Sequence, residues 1–477
     1  MIGKPLLWTA AEAAAAVGVR AGRGWRASGV SIDSRTAAQG DLFVAIKGER
    51  LDGHDYVGEA LAAGAVAAIV DRVPPGLPED KPLLVVEDTL AALAALGRTA
   101  RARCQARVIA VTGSVGKTGT KEGIALALAT QGKTHASAGN LNNEIGAPLS
   151  LARLPRDAAY AVFELGMNRP GEISRLSKMV RPDVAVITTV EPVHIEFFPS
   201  VEAIADAKGE IFDGMTRSGA AVLNIDNPQF ERLAGIAFAR GISRVLSFGS
   251  EETAYARLID CSLHPTCSAV SAEIGGERLD YCVAMPGRHW VMNSLAILTA
   301  AKAAGADIAI AATSLSRLKP LKGRGERSQI DLPHGGAFVL IDESYNASPA
   351  SVRAALSVLG GMKPGAGGRR IAVLGDMLEL GAIASEAHVE LAPDVAAAGV
   401  ELVFACGPEM RRLFDALPAK LRAGHAANSA ELIARVVGAV RAGDVVMVKG
   451  SLGTKMAPIV AALRQLADTS PKAANGN

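Results

Sequence analysis

One short stretch of the 477-residue chain combines residue types that can hold a triphosphate: Thr112-Gly113-Ser114-Val115-Gly116-Lys117-Thr118-Gly119. Glycines let successive amides turn toward an anion, and the N-terminus of a following helix adds partial positive charge. Lys117 can reach the terminal phosphates and Thr118 can ligate Mg²⁺. Only Ser114 and Val115 separate Gly113 from Gly116, so the loop is shorter than the common GxxxxGK[ST] spacing. The plain alternative is a Gly-rich turn with a helix-capping lysine; the strand pattern before the loop and the helical pattern after it favour nucleotide binding. A triphosphate also needs a hard cation, whose oxygen and imidazole ligands belong at the ends of neighbouring strands. Glu164 and His194 follow two such strand patterns. Singly, each is more simply a solvated strand-end residue; beside the loop they form a coherent set.

The elements that must position these residues are legible as apolar runs. Residues 107–112 read as a buried strand, and further strands are expected at 160–165, 184–189 and 220–225 with helical patterns between them. That alternation predicts a parallel sheet built from βαβ units. Residues 250–285 alternate more strongly and predict an antiparallel excursion. A second series starts near residue 320, with strands expected at 338–341, 370–374, 402–406 and 445–448. Residues 41–46 and 83–86 read as strands of a smaller unit, and Thr9 with Glu12 reads as a capping box opening a helix. The expected fold is α/β with three domains. These are a small N-terminal α/β domain (1–105), a central P-loop ATPase domain with a mostly parallel sheet (106–318) and a C-terminal Rossmann-like α/β domain (319–477). The tail after Asp468 is expected to be unstructured.

Composition removes several function classes. Fifty Lys and Arg oppose 48 Asp and Glu, a net charge of +2, so no global field favours nucleic acid or an anionic membrane. Any anion site must be local. Aromatics are 4% of the chain, too few for base-stacking platforms. The five scattered cysteines do not form a secreted disulfide framework, and Cys261 to Cys267 lacks the ligand pairs of a metal site. No apolar run is long enough to span a bilayer, and the N-terminus makes a poor signal peptide. A soluble cytoplasmic protein, without membrane insertion and monomeric, is the expectation. From the residues alone, an ATPase, a small-molecule kinase and a non-catalytic nucleotide-binding module all remain open.

Further motifs occur in a fixed order: Asn140-Leu141-Asn142-Asn143-Glu144-Ile145-Gly146, Glu164-Leu165-Gly166, His194, Ala205-Asp206-Ala207-Lys208, Gly287 to Asn293, Gly323-Arg324 and Asp342. With the loop, this series resembles the Mur ligase family, ATP-dependent amide ligases of peptidoglycan synthesis related to folylpolyglutamate synthetases. The resemblance implies ATP and two Mg²⁺ ions as cofactors, with Thr118, Glu164, His194 and a carbamylated Lys208 as metal ligands. Lys117, Lys208, Glu164 and His194 would form the catalytic set. Gly113 to Gly119, Asn293, Arg324 and Asp342 would contact the nucleotide.

The N-terminal Ser34, Arg35, Lys47, Asp52 and His54, with Asn142 and Asn143, resemble the family's pocket for a UDP-muramoyl peptide. Hydroxyl, cationic and imidazole groups suit a diphosphate. Gly375-Asp376-Met377-Leu378-Glu379-Leu380-Gly381, His388, Asn346 to Pro349 and Lys449-Gly450-Ser451 resemble the members that add D-alanyl-D-alanine to UDP-N-acetylmuramoyl-tripeptide. Those two molecules are therefore the expected partners, the C-terminal domain taking the dipeptide and closing over ATP. Val115 and Trp290 depart from the residues usual in the family.

Overall fold

The computed structural model describes residues 5–78 and 81–467. The expected tail lies outside these residues. Three larger sheets, all flanked by helices, organise the chain.

The central sheet has nine strands. Its middle is Ala220–Asn224, Val184–Ile187, Arg107–Thr112 and Tyr160–Glu164, paired in parallel. Their nearly continuous apolar runs suit this position, because helices cover both faces of a parallel sheet and leave no solvent side. Parallel pairing also puts their C-terminal ends side by side: Val111 is opposite Glu164, and Thr112 is opposite Ile187. The phosphate-type loop therefore lies between two strand ends, with the helix Lys117–Ala129 leading away from it. At the far edge, Ala256–Leu263, Ser268–Ile274 and Glu277–Val283 form the expected antiparallel excursion.

The third sheet runs in parallel through Ala337–Glu343, Val445–Lys449, Arg370–Gly375, Leu402–Cys406 and Arg422–Ala426. An antiparallel strand, Glu326–Asp331, closes one edge. Neither Glu326–Asp331 nor Arg422–Ala426 is apparent in the sequence, since their residues lack a buried-strand run.

The N-terminal region holds a four-stranded parallel sheet, Gly29–Ser31, Asp41–Val44, Ala67–Val70 and Leu83–Val85. The capping box forms as expected, and the helix Ala10–Val17 ends on left-handed Gly18. One apolar core runs from this region into the central sheet's helices. Trp8 anchors the join: Nε1 donates to the Ala152 carbonyl at 2.8 Å, and the Arg103 guanidinium lies 3.8 Å from its ring centroid.

Candidate active site

A cavity of about 550 Å³ lies where the central sheet's strand ends meet the third sheet. Its lining contains all of Gly113, Ser114, Val115, Gly116, Lys117, Thr118 and Gly119, together with Asn142, Glu164, His194, Lys208, Asn293 and Arg324. Residues separated by more than two hundred positions thus share one chamber.

The loop geometry follows from its glycines. Gly113 has φ 144°, and a Cβ there would lie 1.9 Å from Thr188 Oγ1, so only glycine fits. Gly116 is left-handed at φ 87° and caps the helix. Gly119 lies against the Trp290 ring, which also lines the cavity. Ser114 is tied to the neighbouring loop, its Oγ donating to the Glu191 carbonyl and accepting from the Glu191 amide. Lys117 folds back: Nζ donates to the carbonyls of Gly113 at 2.8 Å and Ser114 at 3.3 Å. Burial lowers its pKa, Glu164 opposes that shift and Arg324 adds to it.

Around the lysine the polar groups are incompletely paired. Asn142 Nδ2 donates to Glu164 Oε1 at 2.7 Å, while buried Glu164 Oε2 has no hydrogen-bond partner. Lys208 is 3% exposed, and among the described residues none bonds its ammonium. Burial, reinforced by Lys117, holds its pKa well below the usual lysine value. Burial likewise lowers His194, against the pull of Glu379, with Lys117 and Lys208 adding to the shift. Unpaired buried polar atoms are costly unless a ligand completes them. One carboxylate oxygen, an imidazole, the Thr118 hydroxyl and an amine that can carry a carboxylate fit the oxygen-rich shell of Mg²⁺.

Two assigned residues sit elsewhere. Asp342 does not line the cavity: its carboxylate accepts from the Ser344 amide and hydroxyl and lies 3.6 Å from Arg464. Successive strand residues face opposite ways, and it is Glu343 that reaches the cavity wall. Asn143 accepts from the amides of Ile145 and Gly146 and so starts the helix Gly146–Ala152.

The N-terminal set forms a separate cluster. Ser34 Oγ donates to Glu59, and Arg35 forks onto Asp33 at 2.9 and 2.7 Å. His54 Nδ1 meets Asp52 at 2.6 Å and its Nε2 accepts from the Asp71 amide. The His54 amide and Arg72 together hold the Asp52 carboxyl far below the usual range. Lys47 is exposed.

Sequence reasoning missed Glu343 and Tyr345, which line the cavity from the third region beside Asn346 and Lys449 of the motifs named above. Arg324 stacks 4.1 Å from the Tyr345 ring centroid, and buried Lys449 donates to Glu343 at 3.1 Å and to the Asn346 carbonyl at 3.0 Å. Lys121 is fully buried and donates to the Ser137 and Gly139 carbonyls, fixing the chain that leads to Asn140 and Asn142. Its place one helical turn after Lys117 was the available signal. His289 also lines the cavity, its pKa pushed down to about 4 by burial.

Residues 26–101 match a model described as Mur ligase family, catalytic domain; residues 111–301 match the Mur ligase middle domain, and residues 324–452 the Mur ligase, glutamate ligase domain. A UDP-N-acetylmuramoyl-tripeptide–D-alanyl-D-alanine ligase of Rickettsia prowazekii is 34% identical over 458 residues, covering 95% of this chain and 99% of that protein. The crystal structure of MurF from Acinetobacter baumannii superposes with a TM-score of 0.83 at 29% identity, over 97% of this chain and 100% of that one. MurF from Thermotoga maritima in complex with ADP has a TM-score of 0.75 at 27% identity, over 92% and 98%.

Proposed function

The chain belongs to the Mur ligase family, and we propose that its cavity makes the amide bond between UDP-N-acetylmuramoyl-tripeptide and D-alanyl-D-alanine at the expense of ATP. The observation that carries this reading at residue level is the convergence of the glycine loop with Glu164, His194 and unpaired Lys208 in one chamber walled by Arg324.

A free carboxylate resists amines because its oxygen is a poor leaving group. Transfer of the γ-phosphoryl group to it gives an acyl phosphate; the dipeptide's neutral amine then attacks the acyl carbon, and the tetrahedral adduct expels phosphate and loses a proton. Loop amides and Lys117 hold the triphosphate, and Arg324 offsets the charge that builds up during transfer. Thr118, Glu164, His194 and Lys208 would hold Mg²⁺, two ions in all, which when bound neutralise phosphate charge and orient the reacting oxygens. Lys208 joins that set only after its neutral amine adds to carbon dioxide, forming an N–C bond and releasing a proton. Burial without a partner supports this, because it favours the uncharged amine.

Asn293 on the helix Arg288–Ala303, Glu343 and Tyr345 line the remaining walls and would seat the nucleoside. Arg35 and Lys47 are exposed cations on the N-terminal face and would receive the uridine diphosphate end. Closure of residues 319–477 over the cavity would exclude water from the acyl phosphate. Among the described residues no helix is long and apolar enough to cross a membrane, and we place the reaction in the cytoplasm, carried out by a monomer. Phosphate release from ATP is the test. It should require UDP-N-acetylmuramoyl-tripeptide and D-alanyl-D-alanine together; turnover with either omitted would overturn the reading in favour of an ATPase or kinase.

A further inference from the structure

The turn 375–381 in the third region lies beyond the chemistry above, yet it reaches the site. Its polar groups are mostly consumed in holding its own shape. Asp376 accepts from the Met410 and Glu409 amides, the Met377 amide donates to buried His388 Nε2 at 2.9 Å, and the Leu378 amide donates to Ser451 Oγ at 3.0 Å. Leu380 is in the apolar core. Glu379 reaches out of the turn instead, and its carboxylate contacts Nδ1 of His194 on the central region. That nitrogen is buried and makes no well-aligned hydrogen bond among the described residues, to Glu379 or to any other group.

The backbone is shaped for this meeting. Glu379 has φ 64° and His194 φ 63°, two of only four non-glycine residues in left-handed conformation among those described. Such conformations cost free energy and persist where the surrounding structure imposes them. Around the pair the two regions also touch through backbone: the Glu196 amide donates to the Glu379 carbonyl at 3.4 Å, and Gly381 lies against Glu196, where a Cβ would come within 3.2 Å of its Cα.

We propose that Glu379 is a positioning residue which, on docking of the third region, fixes the His194 ring for metal binding and so couples closure to assembly of the metal site. With its proton on Nδ1, beside the Glu379 carboxylate, the ring keeps its lone pair on Nε2, the form a metal requires. The inference rests on the assignment of His194 as a metal ligand made above.

Mn²⁺ binding to the ADP-saturated protein, followed by the loss of the free-ion electron paramagnetic resonance signal, tests it without recourse to turnover. Glu379→Ala and the isosteric Glu379→Gln should each weaken Mn²⁺ binding about 10- to 100-fold, the range expected for a carboxylate that orients a ligating histidine. ADP affinity measured without metal, and the melting temperature, should stay at the wild-type values. Wild-type Mn²⁺ affinity in both Glu379 variants, with affinity lost in His194→Ala, would overturn the coupling and leave the metal site standing. Wild-type affinity in His194→Ala as well would remove the metal assignment itself.

Discussion

Two clusters of polar residues carry motif-like spacing, one around the central cavity and one on the N-terminal sheet, and they treat their charges in opposite ways. Around the cavity, Glu164 Oε2 and the Lys208 ammonium are buried without a partner. On the N-terminal sheet, Asp52, His54, Asp71 and Arg72 satisfy one another, and Arg35 is matched by Asp33. The difference teaches how to read a charged motif: unmatched buried groups imply a missing ligand, whereas matched ones already contribute to the fold. Substitutions should therefore cost activity in the first cluster and, at buried His54 and its partner Asp52, stability in the second.

The largest effect is expected at the loop. Lys117→Ala should reduce kcat at least 100-fold, about 2.7 kcal/mol of transition-state stabilisation, with an unchanged unfolding midpoint. A variant keeping more than a hundredth of the wild-type rate would break the comparison on its catalytic side. Lys208→Arg comes next. It retains a cation and similar bulk but cannot form the carbamate, so a loss of roughly 100-fold in kcat, unrelieved by added bicarbonate, is the outcome to look for in steady-state assays. Recovery to a tenth of wild type would show that the amine is not carbamylated.

Smaller effects should appear on the N-terminal sheet. His54→Ala leaves the Asp71 amide and Asp52 without their buried partner and should lower stability by about 1–3 kcal/mol in urea unfolding, with kcat unchanged. Smallest is Asp52→Asn. The folded carboxyl titrates below its ordinary value of 3.8, so its contribution is complete above that pH and is lost as pH falls through the depressed value. Solvent screening at this partly open site limits it to about 1 kcal/mol. The gap in urea midpoint between wild type and variant should be constant from pH 7 to 5 and narrow below 3.8; a gap widening on acidification would contradict the pairing.

Much of this organisation was legible because buried parallel strands announce themselves as apolar runs, and because a glycine loop between strand and helix has few other uses. What escaped depended on contacts that sequence does not order. The edge strand Arg422–Ala426 is too polar and too rich in small residues to read as buried, yet its backbone extends the sheet beside Leu402–Cys406. Asp342 and Glu343 are adjacent acids, and choosing between them requires knowing which face of the strand meets the cavity. Glu379 reads as part of a turn; only the fold brings it to His194, 185 positions earlier in the chain. The N-terminal residues were recognisable as a motif, but their pairing with Glu59, Asp71 and Arg72 emerges only when the fold brings those segments together.

The most direct measurement follows oxygen. When the tripeptide's terminal carboxylate carries ¹⁸O, attack of that oxygen on the γ-phosphorus and later cleavage of the acyl C–O bond must deliver one labelled atom to the released phosphate. Mass spectrometry should find inorganic phosphate with one ¹⁸O per amide formed. Phosphate free of label, alongside normal amide yield, would contradict an acyl phosphate in this cavity.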